Sequence, residues 1–506
     1  MTSVRIDNYK ITEALSRFES EAQTDQFRHH GEWIWPVIRN WLCIELTGVN
    51  QFMQSAADSH QHSTCSKIQT FLSNLTKCFR NPLGSIQGDQ KICALIFSNS
   101  SRLIEIEGKQ YNYISDPLLE RLEGSGIRAQ SLEFSPHTST TRTRPVIDAL
   151  PYLDAQIRKV RFWRLASADP LKNPPQWFQS IANWTQDCFN YTLAWHDVYI
   201  ALRYYFWLLR IFKKWLRQHR PAFLIIDCWY SLNAMALIRA AHEWDIPCVD
   251  LQHGLQGIAA APYVYWRKLP AGERGCLPDF FIVWGESTAA ELHKYNAPEF
   301  HQDRVFISGN YWLNLWLKPE TDWISQFIAQ ARSIIPQQTE KVLLVTLQLD
   351  HNEQNRLIDV IRKSPATWFW LIRAHRRDHA RLKEIEHNFQ SSGHPRVNVM
   401  QSSTMPLYAL MNIADIHLTW YSTCALEALP FGAPTVLLSP NGQIAYKDYI
   451  EQDVMKYASN LDQVLILVEE CKLISNDDCR KIGGKVFANP DDSEKGMCDL
   501  LKRLCG

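Results

Sequence analysis

The chain has 506 residues, enough for two or three ordinary domains with large buried cores. Lys plus Arg and Asp plus Glu both number 53, so no global positive field marks a nonspecific nucleic-acid binder, and an anionic ligand must be held locally. The 13 cysteines are odd in number and scattered without a CxxC pair, which argues against a disulfide framework or structural zinc and for a reducing cytoplasm.

Residues 1 to about 90 read as mainly helical, with an aromatic cluster at Gly31 to Leu42 and a polar stretch at Gln54 to Ser66. No run of 18 apolar residues occurs, so the chain is expected to be cytoplasmic, neither exported nor membrane-spanning. A buried strand is expected at Ile92 to Phe97, with a polar exit at Ser98 to Ser101 and a short second strand at Arg102 to Glu107. From there to about residue 220 the pattern is mostly helical, broken by an exposed stretch at Ser135 to Pro145. Leu202 to Arg217 mixes bulky apolar residues with Arg203, Arg210, Lys213, Lys214 and Arg217. A helix packed on a sheet accounts for it best; a helix lying on an anionic membrane surface is the secondary reading.

Pro221 to Gly257 then reads as a complete strand, helix, strand unit, in which Asp227 follows the run Phe223 to Ile226 and His253 follows the run that starts at Cys248. Further strands are expected at Phe280 to Trp284 and Val305 to Ile307, with a helix at Ser287 to Tyr295 and a polar connector at Leu315 to Gln338. A second series has strands at Lys341 to Thr346, Trp368 to Arg373, Val397 to Met400, Ile416 to Thr419 and Thr435 to Leu438. Helical patterns lie between them, around His351 to Arg362, His379 to Phe389, Pro406 to Ala414 and Cys424 to Phe431. Such alternation predicts an α/β protein of two Rossmann-like domains with parallel sheets facing a central cleft. The N-terminal domain is expected over residues 1–325 and the C-terminal one over residues 326–506, its last helix free to pack back on the first.

Ligands of open α/β sheets bind beyond the carboxyl ends of the strands. Neighbouring parallel strands lie about 4.8 Å apart, so adjacency of the two central strands would bring Asp227 and His253 to one substrate. Gln252, Gly254 and Asn310 are expected to line the cleft, Gly254 by permitting close backbone approach or a positive φ. In the second half, Gln348 follows the first strand, Arg373, His375 and Arg376 stand at the second, and Ser422 and Thr423 precede a helix that carries Glu427. Free N–H groups and the dipole at such a helix start suit a phosphate. The two hydroxyls add donors, and an ionised Glu427 accepts from ribose or a base edge. The plainer alternatives are Ser422 as only an N-cap, Asp227 as a cap of its helix, and the His375 segment as a charged surface loop. No P-loop, no GxGxxG after a strand and no GxSxG elbow occurs, which disfavours nucleoside triphosphatases, NAD-linked enzymes and α/β-hydrolases.

The runs IIDCWY and IPCVDLQHG, then LPDFFIVWG and RVFISGN, then LIRAH and ADIHLTWYSTCALEALPFGAPTVLL resemble the GT-B glycosyltransferases, in particular bacterial enzymes of capsule and lipopolysaccharide assembly. The likeness covers about residues 90 to 480. It implies an acceptor-binding N-terminal domain, a donor-nucleotide-binding C-terminal domain, and no metal or cofactor beyond the nucleotide-activated sugar itself. The QHG run, with an Asp one strand earlier, is most similar to the capsule-type transferases of Kdo, an acidic ketose carried on CMP. Arg373 and Arg376 could serve its carboxylate or the CMP phosphate. RAHRRD stands where a CMP-sugar enzyme would show His-Pro, so UDP- and GDP-sugars, and CDP-glycerol as used by teichoic-acid-type glycerophosphotransferases, stay open as donors. The expected partners are a nucleotide-sugar donor and a glycan or lipid-linked glycan acceptor, with peripheral attachment to the inner face of the cytoplasmic membrane and no nucleic acid. Asp227 or His253 would be the general base, and the helix start at Ser422 would stabilise the departing phosphate. A UDP-sugar 2-epimerase is the alternative within the fold. A noncatalytic glycan-binding subunit is the alternative outside enzymes, disfavoured because a scaffold has no need of convergent titratable groups.

Overall fold

Short apolar runs closed by polar residues become the strands of two sheets in a computed structural model, which describes residues 6–47, 94–98, 102–133, 141–149, 174–258, 260–348 and 351–505. The chain divides into two compact units: Met1–Val283 with Thr288–Phe306 and Gly496–Gly506, and Trp284–Ser287 with Ile307–Lys495. The expected polar stretch at Gln54 to Ser66, the first two residues of the strand expected at Ile92, and residues 135–140 of the exposed stretch lie outside the described residues.

The sheet of the first unit contains β1 (Ala94–Ser98), β2 (Ala129–Glu133), β3 (Val146–Asp148), β4 (Phe223–Ile226), β5 (Cys248–Leu251), β6 (Phe280–Val283) and β7 (Val305–Ile307). Their spatial order is β7-β6-β5-β4-β1-β2-β3. The two central strands are adjacent and parallel, with Ile226 opposite Asp250. On the other side of β4, Phe97 of β1 lies opposite Ile226. β2 and β3 correct the helical reading of residues 107 to 220. AQSLE and VID carry too little apolar periodicity to announce strands, and it is pairing beside β1 that fixes them. The strand expected at Arg102 appears as Leu103–Ile106, but outside the main sheet, in an antiparallel hairpin with Lys109–Asn112. Its two-residue turn has positive φ at Glu107 (50°) and Gly108 (74°), the geometry of a tight twisted hairpin.

The basic aromatic segment forms a 25-residue helix, Trp195–His219. Val198, Ala201, Leu202, Tyr205, Leu208, Leu209, Phe212, Trp215 and Leu216 are its buried face, as expected of a packed helix. Nearer the N-terminus, helices Asn8–Glu21 and Trp35–Leu46 are joined by a buried ion pair. Arg39 Nη1 donates to Glu19 Oε1 at 3.0 Å, and both side chains are fully buried. Trp35 Nε1 donates to the same oxygen at 2.5 Å, and Arg39 Nη2 donates to the carbonyl of Ala261 at 2.9 Å and to that of Val264. Its guanidinium also lies 4.0 Å from the ring centroid of Trp266. Burial raises the Glu19 carboxyl and lowers the Arg39 guanidinium, each opposed by the partner's charge. The hydrogen bonds to both partners are therefore what keep the pair tolerable, although Arg39 Nε itself has no partner among the described residues.

The second unit has β8 (Lys341–Thr346), β9 (Trp368–Arg373), β10 (Val397–Asn398), β11 (Ile416–Thr419), β12 (Thr435–Leu437) and β13 (Met455–Tyr457), in the order β10-β9-β8-β11-β12-β13. β8, β9 and β11 keep the expected bounds, β10 and β12 are shorter, and β13 is an additional edge strand that MKY was too short to announce. His417 ties three strands together: its Nε2 lies 2.9 Å from Thr346 Oγ1 and its Nδ1 3.1 Å from Thr435 Oγ1. Burial pushes this imidazole down to about 3. Both sheets share one winding rule. The chain moves outward from β1 through β2 to β3, then returns to the other side of β1 with β4, and β8 and β11 repeat the reversal.

Arg39→Ala leaves Glu19 buried without its cation and should cost the first unit about 3–5 kcal/mol, while the paired replacement Arg39→Met with Glu19→Gln should cost clearly less. Urea unfolding followed by tryptophan fluorescence measures both; equal losses would show that packing, not the charge pair, carries the stability.

Candidate functional site

The winding reverses between β1 and β4, where open α/β sheets leave room beyond the carboxyl ends of their strands, and Asp227 directly follows β4 at that end. Its N–H donates to Phe97 O at 3.1 Å, which extends the ladder by one residue and fixes the side chain at the sheet's edge. Asp227 is 1 % exposed. Arg102, four residues beyond the end of β1, donates to the Tyr113 hydroxyl at 3.4 Å. Burial opposes its charge, but Tyr113 and Asp227 outweigh that and hold it above the ordinary arginine value. Asn112, at the end of the hairpin, reaches the exits of β1 and β2, donating to Ser98 Oγ at 3.3 Å and to Glu133 Oε1 at 2.9 Å. Arg142 pairs with the other oxygen of Glu133.

His253 stands two residues beyond β5 and keeps part of its surface open to solvent. Its Nε2 is 3.2 Å from the Tyr230 hydroxyl. Burial, then the positive Arg102, push it down to about 3, so it is a neutral imidazole at physiological pH. Asp250, within β5, is fully buried and receives Gln256 Nε2 at 3.3 Å. Burial raises its carboxyl to about 8, with Asp227 adding to the rise and Tyr263, the Trp229 backbone and Gln256 opposing it. Tyr263 belongs to the segment that Arg39 holds by its carbonyls, and its ring meets Tyr230 edge-on at 5.9 Å. The N-terminal helices thus position one wall of the cluster.

Gln252 is buried, donating to Gly254 O at 3.0 Å and Thr288 Oγ1 at 3.2 Å, so it shapes the turn at His253. The positive φ of this turn is at Gly257 (123°) rather than at Gly254; a Cβ at Gly257 would come within 2.7 Å of the Glu291 carboxylate. Asn310 lies in the second unit and caps helix Tyr311–Leu317 by accepting from Leu313 N at 3.1 Å.

In the second unit, Arg373, Ser422 and Glu427 converge on Cys424, whose thiol burial raises to about 12, with Glu427 adding to the rise and Ser422 and Arg373 opposing it. Gln348 spans the reversal between β8 and β11, its Oε1 accepting Tyr421 N at 2.7 Å. Arg373 Nη1 donates to the carbonyls of Ser402 at 2.7 Å and Met405 at 2.5 Å, so part of its fork is already used. His375 is exposed and Arg376 half-buried, at the start of a 3-10 turn, Arg376–Arg381. The helix after β11 is short, Cys424–Ala428, and its N-cap is Thr423 rather than Ser422. Ser422 Oγ accepts Cys424 N at 3.3 Å instead, and its carbonyl accepts the Tyr446 hydroxyl at 2.8 Å.

Among the described residues, one His, Cys and Asp group has its ligand atoms within 4.8 Å of one another: His242, Cys248 and Asp279. It lies at the opposite end of β5 from His253. Asp279 faces His242 Nε2 at 3.0 Å, accepts Cys248 N at 2.8 Å and pairs with Arg274, so its bonds staple the strand's start.

Arg102, Asp250, Tyr230 and Tyr263 are members of the first cluster that sequence reasoning missed. The charge within the apolar run PCVDL was the available signal for Asp250, since an ionised side chain is costly on a buried strand.

No family model matches the chain, and no curated protein does. Among solved structures, it is similar to a UDP-GlcNAc 2-epimerase from Neisseria meningitidis bound to UDP-GlcNAc (16% identity, 81% of this chain and 99% of that one, TM-score 0.48). It is also similar to a UDP-GlcNAc 2-epimerase from Methanocaldococcus jannaschii in complex with UDP-GlcNAc and UDP (14%, 81% and 99%, TM-score 0.49). A third is the wall teichoic acid polymerase TagF (10%, 87% and 98%, TM-score 0.48).

Asp250 has a consequence in solution. Between about pH 4 and 8 the folded protein keeps a proton on this carboxyl that the unfolded chain releases, so stability falls as pH rises through that window. His253, shifted downward, acts oppositely between about pH 3 and 6.5. Asp250→Asn should remove the alkaline loss alone: from about pH 6 to 8.5, the urea midpoint of the wild type should fall relative to that of the variant. Parallel midpoints across that range would mean that Asp250 is ionised in the folded state.

Proposed function

We propose that this protein is a metal-independent glycosyltransferase of GT-B type. The observation that carries the reading is the placement of Asp227 and His253 at the carboxyl ends of two adjacent parallel strands, one of them at the winding reversal. A carboxylate beside a cation, a neutral imidazole and a protonated carboxyl at one strand edge suit proton transfer from a hydroxyl better than they suit a structural role.

In this mechanism the first unit engages the acceptor hydroxyl. Its oxygen forms the new bond to the anomeric carbon while the bond from that carbon to the donor phosphate breaks. Asp227 takes the hydroxyl proton, and the nucleotide leaves with the electron pair. His253, neutral and held at Tyr230, is the weaker base of the two and serves to orient the acceptor. The second unit binds the nucleotide through Gln348, Ser422, Thr423 and Glu427, with the Arg373 and Arg376 charges attracting phosphate or a sugar carboxylate. QHG and the preceding Asp favour CMP-linked Kdo as the donor and a bacterial surface glycan, capsular or lipopolysaccharide, as the product. A CDP-glycerol-type transfer would use the same residues.

Thermal shift against CMP, CDP, UDP and GDP selects among donors, because a ligand at 100 times its Kd adds about 2.7 kcal/mol to the folded state. A selective response to CMP is expected; one to CDP, UDP or GDP keeps the transfer and replaces the donor. With the responding nucleotide's sugar, Asp227→Asn should lower transfer by roughly 10²–10⁴-fold, and His253→Ala by a smaller factor, without loss of nucleotide binding. Undiminished turnover in Asp227→Asn would remove it as the base.

A further inference from the structure

Helix Trp195–His219 hides one face and leaves the other uncovered by the described chain. At 100° per residue, Ile200, Arg203, Trp207, Arg210, Lys214 and Arg217 fall within one arc on the side opposite its buried residues. The arc runs about 25 Å along the axis at 1.5 Å per residue. Ile200 is 40% exposed, and Arg210, Lys214 and Arg217 are exposed. The charge pattern of the stripe differs from that of its flank. Lys213, just outside the arc, pairs with Glu243, whereas among the described residues Arg210, Lys214 and Arg217 have no ion pair. The helix carries a single acid, Asp197, in its first turn. Arg203 lies over the Tyr199 ring, 5.6 Å from its centroid, which keeps a further cation at the surface beside an aromatic ring.

We propose that this stripe docks the protein on the surface of a bilayer rich in anionic lipids, the helix lying parallel to the membrane plane. Unpaired Arg and Lys lose no internal partner when they meet lipid phosphates, and the indole of Trp207 with the Ile200 side chain supplies apolar area at headgroup depth. Long basic side chains keep their charge at the phosphates while their stems cover apolar surface. The docking is peripheral, since no described helix is long and apolar enough to cross a membrane. It needs neither donor nor turnover, so it stands apart from the transfer reading.

Co-sedimentation of the purified full chain with vesicles tests it. Pelleting is expected with phosphatidylcholine vesicles containing phosphatidylglycerol at about 0.1 M salt, and not with phosphatidylcholine alone, because surface charge acts within a Debye length of about 10 Å. The triple variant Arg210→Glu, Lys214→Glu and Arg217→Glu should lower the partition coefficient roughly tenfold or more, at an unchanged thermal midpoint. Ile200→Ser with Trp207→Ser should remove the binding that persists at high salt. Absence of pelleting on anionic vesicles, equal pelleting on neutral ones, or full pelleting of the folded triple variant overturns the proposal.

Discussion

The constraint on which both units depend is the reversal of winding at a central parallel strand. A right-handed crossover must lay its helix on one face of the sheet, so a chain that goes first one way from β1 and then the other puts its helices on opposite faces. The strand order reverses in this way between β1 and β4, and again between β8 and β11, the places at which open α/β sheets leave room beyond their carboxyl ends. Polar residues gather at both places. Asp227 is fixed at the first by a bond from its own N–H to Phe97, and Gln348 bridges the second to Tyr421.

What distinguishes the first crevice is how its charges are kept there. Water stabilises an isolated ion far better than a protein interior does, so burial favours neutral forms unless a partner is fixed in place. Arg102 stays charged because Asp227 and Tyr113 are beside it; Asp250, deeper in β5, holds its proton; and His253, facing the Arg102 charge, sheds its own. One ionised pair next to two neutral groups is a stable arrangement. The wall formed by Tyr263 belongs to this balance, and it is set from a distance by Arg39, which spends its guanidinium on the carbonyls of Ala261 and Val264.

Most of the sheet was legible in the sequence because fully buried parallel strands read as continuous apolar runs. KVLLVT, WFWLIR and IHLT needed no context, and Asp227 and His253 followed from where such runs stop. The outer strands AQSLE and VID, and the edge strand MKY, were illegible because their neighbours impose the conformation. Arg102 was hidden for a related reason. Its place follows from the hairpin that turns back at Glu107 and Gly108, and nothing in the residues between Ser98 and Leu103 marks a cation that will lie beside a carboxylate on β4's far end. The helix after β11 starts where it was expected, at Cys424, but its N-cap is Thr423, which makes no side-chain cap bond, while Ser422 Oγ accepts Cys424 N.

The roles of the two strand-exit residues can be separated by their surroundings. An imidazole pushed down to about 3 holds a proton poorly, so His253 has little basicity at neutral pH. Its Nε2 already meets the Tyr230 hydroxyl, whose own proton is held firmly because burial raises that phenol far above its ordinary value. The Tyr230 hydroxyl can therefore donate to Nε2 and fix the ring without being able to accept net charge. Under the proposed transfer, a group so arranged would position a substrate oxygen rather than deprotonate it. Asp227 differs in having a cation at hand, since its charge helps to hold Arg102 above the ordinary arginine value. Burial raises the Asp250 carboxyl and lowers the His253 imidazole, so one burial gradient acts on an acid and a base in opposite directions and leaves both neutral.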